Sequence, residues 1–385
     1  MSSVAAAYPF VSVAIDTSAL QPVAQRSPGV IAIVGASTAG AAAVDAPTVV
    51  ADLDDIAAAF GATSTLGLSL ALALLQDPAP SKIYGVKVAS SSTTDYTAAL
   101  DTLLAADDVD FVSLANVSDT SLLVLLKEHV EQASAAGNKR LGVAMVDPTK
   151  VKSLTYVTDV LATLHPAAGP DLLSTVGRMV VVAARGAAAD DASSPDVASA
   201  AMAAIAGYAP STSIVLKKVR GFSIPAGSQY TSTEIKALSE ANVIPLIQPA
   251  MLVGGGIVFG EGRTYTSDAS LLYVDIVRTL DDIDFRLKAG LILLVGDVRI
   301  TRSGLTSTLV AVEGILGPLK RAAVIDDFAV QIPVLDILAI PETTRTAADN
   351  AIVTTARANR AVDLYISITY GPAVHSLLVT LQPKF

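Results

Sequence analysis

Gly35-Ala-Ser-Thr-Ala-Gly40 follows directly on the apolar run Val30 to Val34 and is the first place in the chain that could do chemistry. A strand ending in such a turn can cradle a phosphate on its N–H groups or present a serine nucleophile. The dinucleotide fingerprint needs glycine at its second position, so that the backbone can approach a pyrophosphate. Ser37 stands there. A nucleophile elbow needs glycine two residues after the serine, and Gly40 comes one residue late. A small-residue loop closing a buried strand is the simpler reading. Asp281, Asp282 and Asp284 could suggest a divalent metal, but neighbouring carboxylates on a helix point in different directions and no loop or histidine ligand accompanies them. They read as a solvated face or a contact to a partner. Glycines 254, 255, 256, 260 and 262 flank Ile257 to Phe259 without the following Lys-Ser/Thr of a phosphate loop, so close backbone packing accounts for them.

The remaining titratable groups do not add up to a catalytic set. His129, His165 and His375 are the only histidines and are far apart in sequence. His129 stands beside Glu128 and Glu131 on a helix and reads as a surface residue; His165 is at a helix end and His375 in a C-terminal hairpin. With no cysteine, disulfides and thiolate chemistry are excluded. No cofactor is implied. The net charge of −10 and the lack of a basic stripe argue against a nucleic-acid partner. The most apolar stretch, Leu66 to Leu75, is far shorter than the roughly 20 residues of a membrane span. Met1-Ser-Ser-Val lacks a basic leader region, so the chain is expected to fold in a cytoplasm.

The elements that would hold these residues follow from periodicity. At 385 residues, 52% hydrophobic and 16% charged, the chain can fill large cores, and two lobes are expected. Much of the apolar content is alanine, which suits helices lying close on sheets. Strands are expected at 30–34, 83–88, 111–114, 141–146, 179–184, 214–219, 257–259 and 328–332. Helices are expected at 52–60, 66–75, 95–105, 121–135, 151–164, 196–208, 233–241, 272–287, 306–321 (broken or kinked at Gly317-Pro318) and 343–357. This alternation predicts an α/β chain with a mostly parallel sheet and helices on its faces.

The two ends read differently. Val11, Val13 and Ile15 alternate with polar neighbours, and residues 18–28 separate this strand from the rest. Val362, Leu364, Ile366 and Ile368 form the cleanest alternation in the chain, followed by Gly371-Pro372 and a last strand at 377–381. Strands without a partner at home are sticky edges unless something pairs with them.

Further residues carry a family likeness. Thr233 to Pro245 reads as a helix running through Asn242 into a strand; Gly256-Ile-Val-Phe-Gly-Glu-Gly-Arg-Thr264 follows; Leu272-Tyr-Val-Asp-Ile-Val-Arg278 then opens a long helix. In this order the chain resembles the tail sheath proteins of contractile phage tails and injection machines. Phe259 replaces the family's tryptophan, and Glu261-Gly262 a lone alanine. Gly29 to Gly35 and Phe60-Gly61 resemble the sheath opening. The likeness covers most of the chain and is strongest from 196 to 385.

The resemblance implies a two-lobed α/β subunit with mixed sheets and extended N- and C-terminal strand arms. The arms would be 1–28 and 361–385, the inner core 29–90 with 196–360, and the outward domain 91–195. Such subunits stack as hexameric discs around an inner tube protein, meet baseplate and tail terminator proteins at the ends, and contract to drive the tube through an envelope. Asp281, Asp284, Lys320 and Arg321 are the tube-facing candidates it suggests. Two other readings stay open: a Rossmann-like nucleotide enzyme using Gly35–Gly40, and another self-assembling tube or shell.

Overall fold

The computed structural model describes residues 29–189, 195–252 and 255–375. The strands expected at Val11 to Ile15 and at 377–381 lie outside them. In chain order the elements are β1 (Val30–Ala36), β2 (Thr48–Val50), α1 (Leu53–Phe60), α2 (Thr65–Leu74), β3 (Lys82–Val88), α3 (Thr93–Leu103), β4 (Phe111–Leu114) and α4 (Thr120–Ala135). Then come β5 (Leu141–Met145), α5 (Tyr156–Leu164), β6 (Met179–Ala183), β7 (Ala188–Ala189), α6 (Val197–Gly207), β8 (Lys218–Val219), β9 (Phe222–Ser223), α7 (Ser232–Glu240), β10 (Ile244–Ile247) and β11 (Ile257–Phe259). The last are α8 (Val274–Leu291), α9 (Arg302–Arg321), β12 (Asp327–Gln331), α10 (Pro333–Ala339), α11 (Ala347–Asn359) and β13 (Tyr365–Thr369).

Nine strands form one sheet in the order β2-β3-β1-β4-β5-β6-β10-β11-β8. From β3 to β10 all neighbours are parallel; β2 and the β11–β8 pair run antiparallel at the edges. Parallel strands covered on both faces are apolar throughout, and β1 shows how such a run divides. Ile31 and Ile33 face one core with α1, α2 and α6, while Val30, Ala32 and Val34 face the other with α3, α4 and α5. The strands on either side of the expected boundaries at 90/91 and 195/196 thus belong to one continuous sheet. β4, β5 and β6 sit between β1 and β10 rather than in a lobe of their own.

Among the described residues, one compact unit holds 29–285, 318–329 and 366–375, including this sheet, and a second holds 286–317 and 330–365. The second has its own small cluster of Leu305, Ile332, Val334, Leu338, Val353 and Ala356.

α6 is buried on every side: all residues from Val197 to Ala206 are inside, six of them alanine. Its short side chains let it lie directly on the middle of the sheet. Several expectations change length. The strand expected from Ile214 shrinks to Lys218–Val219, because Leu216 takes a left-handed φ of 61° that breaks an extended run. The helix expected from Val151 starts at Tyr156. α9 begins earlier, at Arg302, and continues past Pro318 to Arg321; a proline this close to a helix end sacrifices little of the hydrogen-bond ladder. α10, a short helix with Pro333 as its first residue, had no periodic signal long enough to read.

Gly85 in β3 lies against Phe60: a Cβ there would stand 2.5 Å from the ring's Cε2 and 2.9 Å from Leu70 Cδ1. Gly85→Ala therefore overpacks the core, at about 1–3 kcal/mol. Urea denaturation should show a lower midpoint with an unchanged slope.

Candidate assembly elements and the charges that brace them

The Gly35–Gly40 loop sits where β1 has β3 on one side and β4 on the other. This is the point at which doubly wound sheets bind ligands. Here the point is closed by protein. Ser37 is buried, and its hydroxyl, a single donor, lies within hydrogen-bonding distance of the carbonyls of Phe60 (2.5 Å) and Ala39 (2.9 Å). Gly40 holds a φ of +81°, with no room for a Cβ beside the Ala59 carbonyl. At the end of β4 the buried Asp196 carboxylate accepts from Asn116 N (2.9 Å) and from Ser199 N (3.0 Å). Close packing holds at Gly260, beside the Pro245 carbonyl, whereas Gly255 and Gly256 are uncrowded and serve the left-handed φ the backbone takes there. Among the described residues, no group of three or more His, Asp or Glu could hold a metal ion.

The charged residues inside the fold brace it. Arg185 at the end of β6 is 1% exposed. Its Nη1 donates to Glu234 Oε1 at 2.6 Å, its Nε to the Ser228 carbonyl and its Nη2 to the Gln229 carbonyl. The guanidinium also lies 4.5 Å and 4.7 Å from the ring centroids of Tyr156 and Tyr230. Hydrogen bonding from Arg185 holds the Glu234 carboxyl down at about 2, aided by the Thr231 backbone and hydroxyl. Thr231 and Glu234 form the capping box that starts α7, so one carboxylate serves both a helix end and a buried cation.

Arg278 on α8 is buried and donates to the Ile205 and Tyr208 carbonyls at 3.1 and 2.8 Å, closing the C-terminal end of α6. Burial lowers its pKa to about 10, opposed by the surrounding Asp110, Asp282, Asp281 and Asp275. It stays charged at neutral pH. His129, expected at the surface, is instead buried against Arg140 (Nη1 to Nε2, 3.0 Å). Burial, then the Arg140 charge, pushes its pKa down to about 4, so the ring is neutral. Its helix turns inward at that position because Leu126, Val130 and Ala133 on the same face enter the core.

Among the tube-facing candidates, Asp281 forms a two-pronged pair with Arg178 (2.6 and 3.0 Å), each side chain largely covered. Asp284, one turn further along α8, is half-buried. Lys320 meets Asp327 at 2.6 Å with both side chains exposed, and Arg321 is exposed. The structure gives Asp281 and Lys320 partners of their own.

β12 and β13 form a separate two-stranded sheet. Phe328, Val330, Ile366 and Ile368 are half-buried on it and their neighbours are exposed, which is the alternation read for the terminal strand. That strand begins at Tyr365, because Val362 and Leu364 instead pack on the Leu305–Ala356 cluster. Beyond it, Tyr370 donates to Asp275 Oδ2 at 2.8 Å. His375 Nε2 lies 2.9 Å from Ser213 Oγ, its Nδ1 3.6 Å from Glu261, and its ring edge-on to Tyr273. These contacts fasten the chain after β13; they link residues far apart in sequence and left no local signal. The N-terminal candidates Val11, Val13 and Ile15 lie outside the described residues.

No family model and no curated protein sequence matches the chain. Solved structures do. The contracted helical sheath of the anti-feeding prophage aligns with a TM-score of 0.65 at 14% identity, over 98% of this chain and 99% of that one. The contracted sheath complex of PVC, an extracellular contractile injection system, gives 0.65 at 13%, over 99% and 98%. A sheath tail protein from Desulfitobacterium hafniense gives 0.60 at 11%, over 83% and 93%. The chain thus has the fold of contractile sheath proteins.

The Arg185–Glu234 pair yields a pH prediction. A carboxyl depressed in the folded state adds stability above its unfolded pKa, near 4.5, which is lost as pH falls toward 2. Glu234→Gln should cost about 2–3 kcal/mol at pH 7. It should also flatten the fall in stability between pH 5 and pH 2.5, read by urea melts at each pH.

Proposed function

We propose that this chain is the sheath subunit of a contractile tail or injection machine, a structural protein rather than an enzyme. The observation that carries the reading is the end-to-end match to sheath proteins, 98% or more of both chains in two solved sheaths. The Gly35–Gly40 loop at the topological switch point, with Ser37 buried against the Phe60 carbonyl, supports it over the nucleotide-enzyme alternative.

In this reading subunits stack as hexameric discs around an inner tube protein, with baseplate and terminator proteins at the ends. Assembly takes place in the host cytoplasm and the product is the sheath of a virion tail or injection particle. The β12–β13 sheet is the docking point for arms of neighbouring copies. Two strands alone are marginal in water, and among the described residues each has one edge with no strand beside it. β-augmentation supplies main-chain hydrogen bonds that survive rotation of the attached body. Residues 1–28 and the chain beyond His375 are the arms that leave the subunit. Residues 29–90 and 196–360 make the inner part, and 91–195 face outward while sharing the sheet. Lys320 and Arg321 are the tube-facing side chains, being exposed; Asp281 instead braces the subunit through Arg178. Contraction draws on contacts between subunits that differ in the two states and needs no nucleotide.

Negative-stain microscopy of purified protein tests this directly, with hollow helical tubes expected. Closed shells or soluble monomers at every concentration would overturn it. Removing 1–20 or 376–385 should leave a folded monomer, since neither deletion touches Val362 or Leu364, which pack in the second unit's cluster. Long tubes from either truncated form would show that strand exchange is not the connector.

A further inference from the structure

Two surface patches on this chain fit each other. The first lies on the second unit, at the turn between α8 and α9. Ile292, Leu293 and Val295 are 65%, 63% and 77% exposed there. Arg299 and Arg302 follow, both exposed, and Arg357 joins them by donating from Nε to the Ile300 carbonyl at 3.3 Å. Among the described residues none of these three arginines is in an ion pair. Asp297 is the one carboxylate within 292–302. In a chain with 26 basic against 36 acidic residues, unpaired arginines beside bare apolar side chains are out of character.

The second patch lies on the β2 edge of the large sheet. β2 ends the strand order, so one of its sides has no strand beside it within the described sheet. Val44, Val49 and Leu53 are 44%, 48% and 61% exposed there. Asp45, Asp52, Asp54 and Asp55 are interleaved with them, and the Lys87 backbone carbonyl accepts from Asp45 N. The Asp45 carboxyl is pushed up by burial and by the Asp95 charge.

We propose that the 292–302 tip of one copy docks on the 44–55 edge of a second copy. Each patch is apolar with a fringe of one charge sign: positive on the tip, negative on the edge. Tip against tip and edge against edge would repel; tip against edge buries apolar surface and pairs arginine with carboxylate. Arginine with aliphatic side chains is a usual interface composition. A contact between two different patches is heterologous and, when it does not close on itself, generates an open helical polymer. The inference deepens the sheath reading and rests on it for self-association. It adds a rigid side-chain contact to the strand exchange.

A charge-swap pair tests it. The tip variant is Arg299→Glu with Arg302→Glu, the latter at the start of α9 where an acid suits the helix dipole. The edge variant is Val49→Lys with Asp54→Lys, which leaves the Asp52 cap of α1 in place. Each variant alone should lose about tenfold or more of its sedimentable polymer, and an equimolar mixture should recover it, because glutamate tips then meet lysine edges. Wild-type polymer should weaken as salt rises. Matching far-UV melts check that the variants fold; if one does not, Leu53→Ser replaces it on the edge and Leu293→Ser on the tip, with the same expected loss. Tubes that form as in wild type from either variant, or a folded mixture that fails to recover, would overturn the docking while leaving the sheath reading intact. Charge-swap recovery of a polymer that is not a hollow tube would support the docking and sink the sheath reading.

Discussion

A helix with no polar face sets the terms for much of the fold. α6 is buried along its whole length against the centre of the sheet, so its backbone ends cannot turn to water for hydrogen bonds. They are satisfied by protein instead. Asp196 caps the first turn while also holding the start of the segment after β4. At the other end, Arg278 reaches from α8 to the last carbonyls. A charge is thus buried to complete a helix, and the acids around Arg278 make that burial tolerable. Gly29 packs so closely on the Ala206 carbonyl that no side chain fits, which fixes where the chain enters β1.

The same economy runs through the rest of the large unit. Arg185 ties the end of β6 to α5 and α7 through Glu234 and two tyrosines, and Arg178 ties the start of β6 to α8. Both pairs are covered, so removing either partner strands a charge. The outcome is a sheet whose neighbouring helices are fixed by specific, geometrically demanding contacts. Under the proposed function, in which the subunit would move as a rigid body, such bracing would keep strain at the connections and out of the core.

The connections look different. Among the described residues the β12–β13 sheet has two strands with alternating exposure, and the chain that follows is held by a few polar and ring contacts of Tyr370 and His375. Low local stability is what a segment needs if it is to pair with other copies. The contrast between a braced body and a two-stranded terminal sheet fits the proposed sheath role, and the unpaired arginines of the second unit extend it to side-chain contacts.

Periodicity in the sequence by itself determined the alternation of strands and helices, a terminal strand over 362–369 whose first residues the fold takes into a core instead, and the alanine-rich helix before the 218–259 strands. The spacing at Ser37 and Gly40 also showed that the first loop departs from the dinucleotide and nucleophile-elbow motifs, because a motif is local. What the tertiary structure decided are matters of long-range partnership. His129 is neutral and buried because three apolar neighbours carry its helix face inward and Arg140 waits there. Arg278 closes a helix some seventy residues earlier in the chain. Strand order merged the expected lobes into one sheet, since the register of β4 beside β1 depends on how both faces are covered. Local pattern specifies which residues are apolar and at what spacing; only the folded chain specifies which polar group meets which, and that is where the charges of this protein acquire their roles.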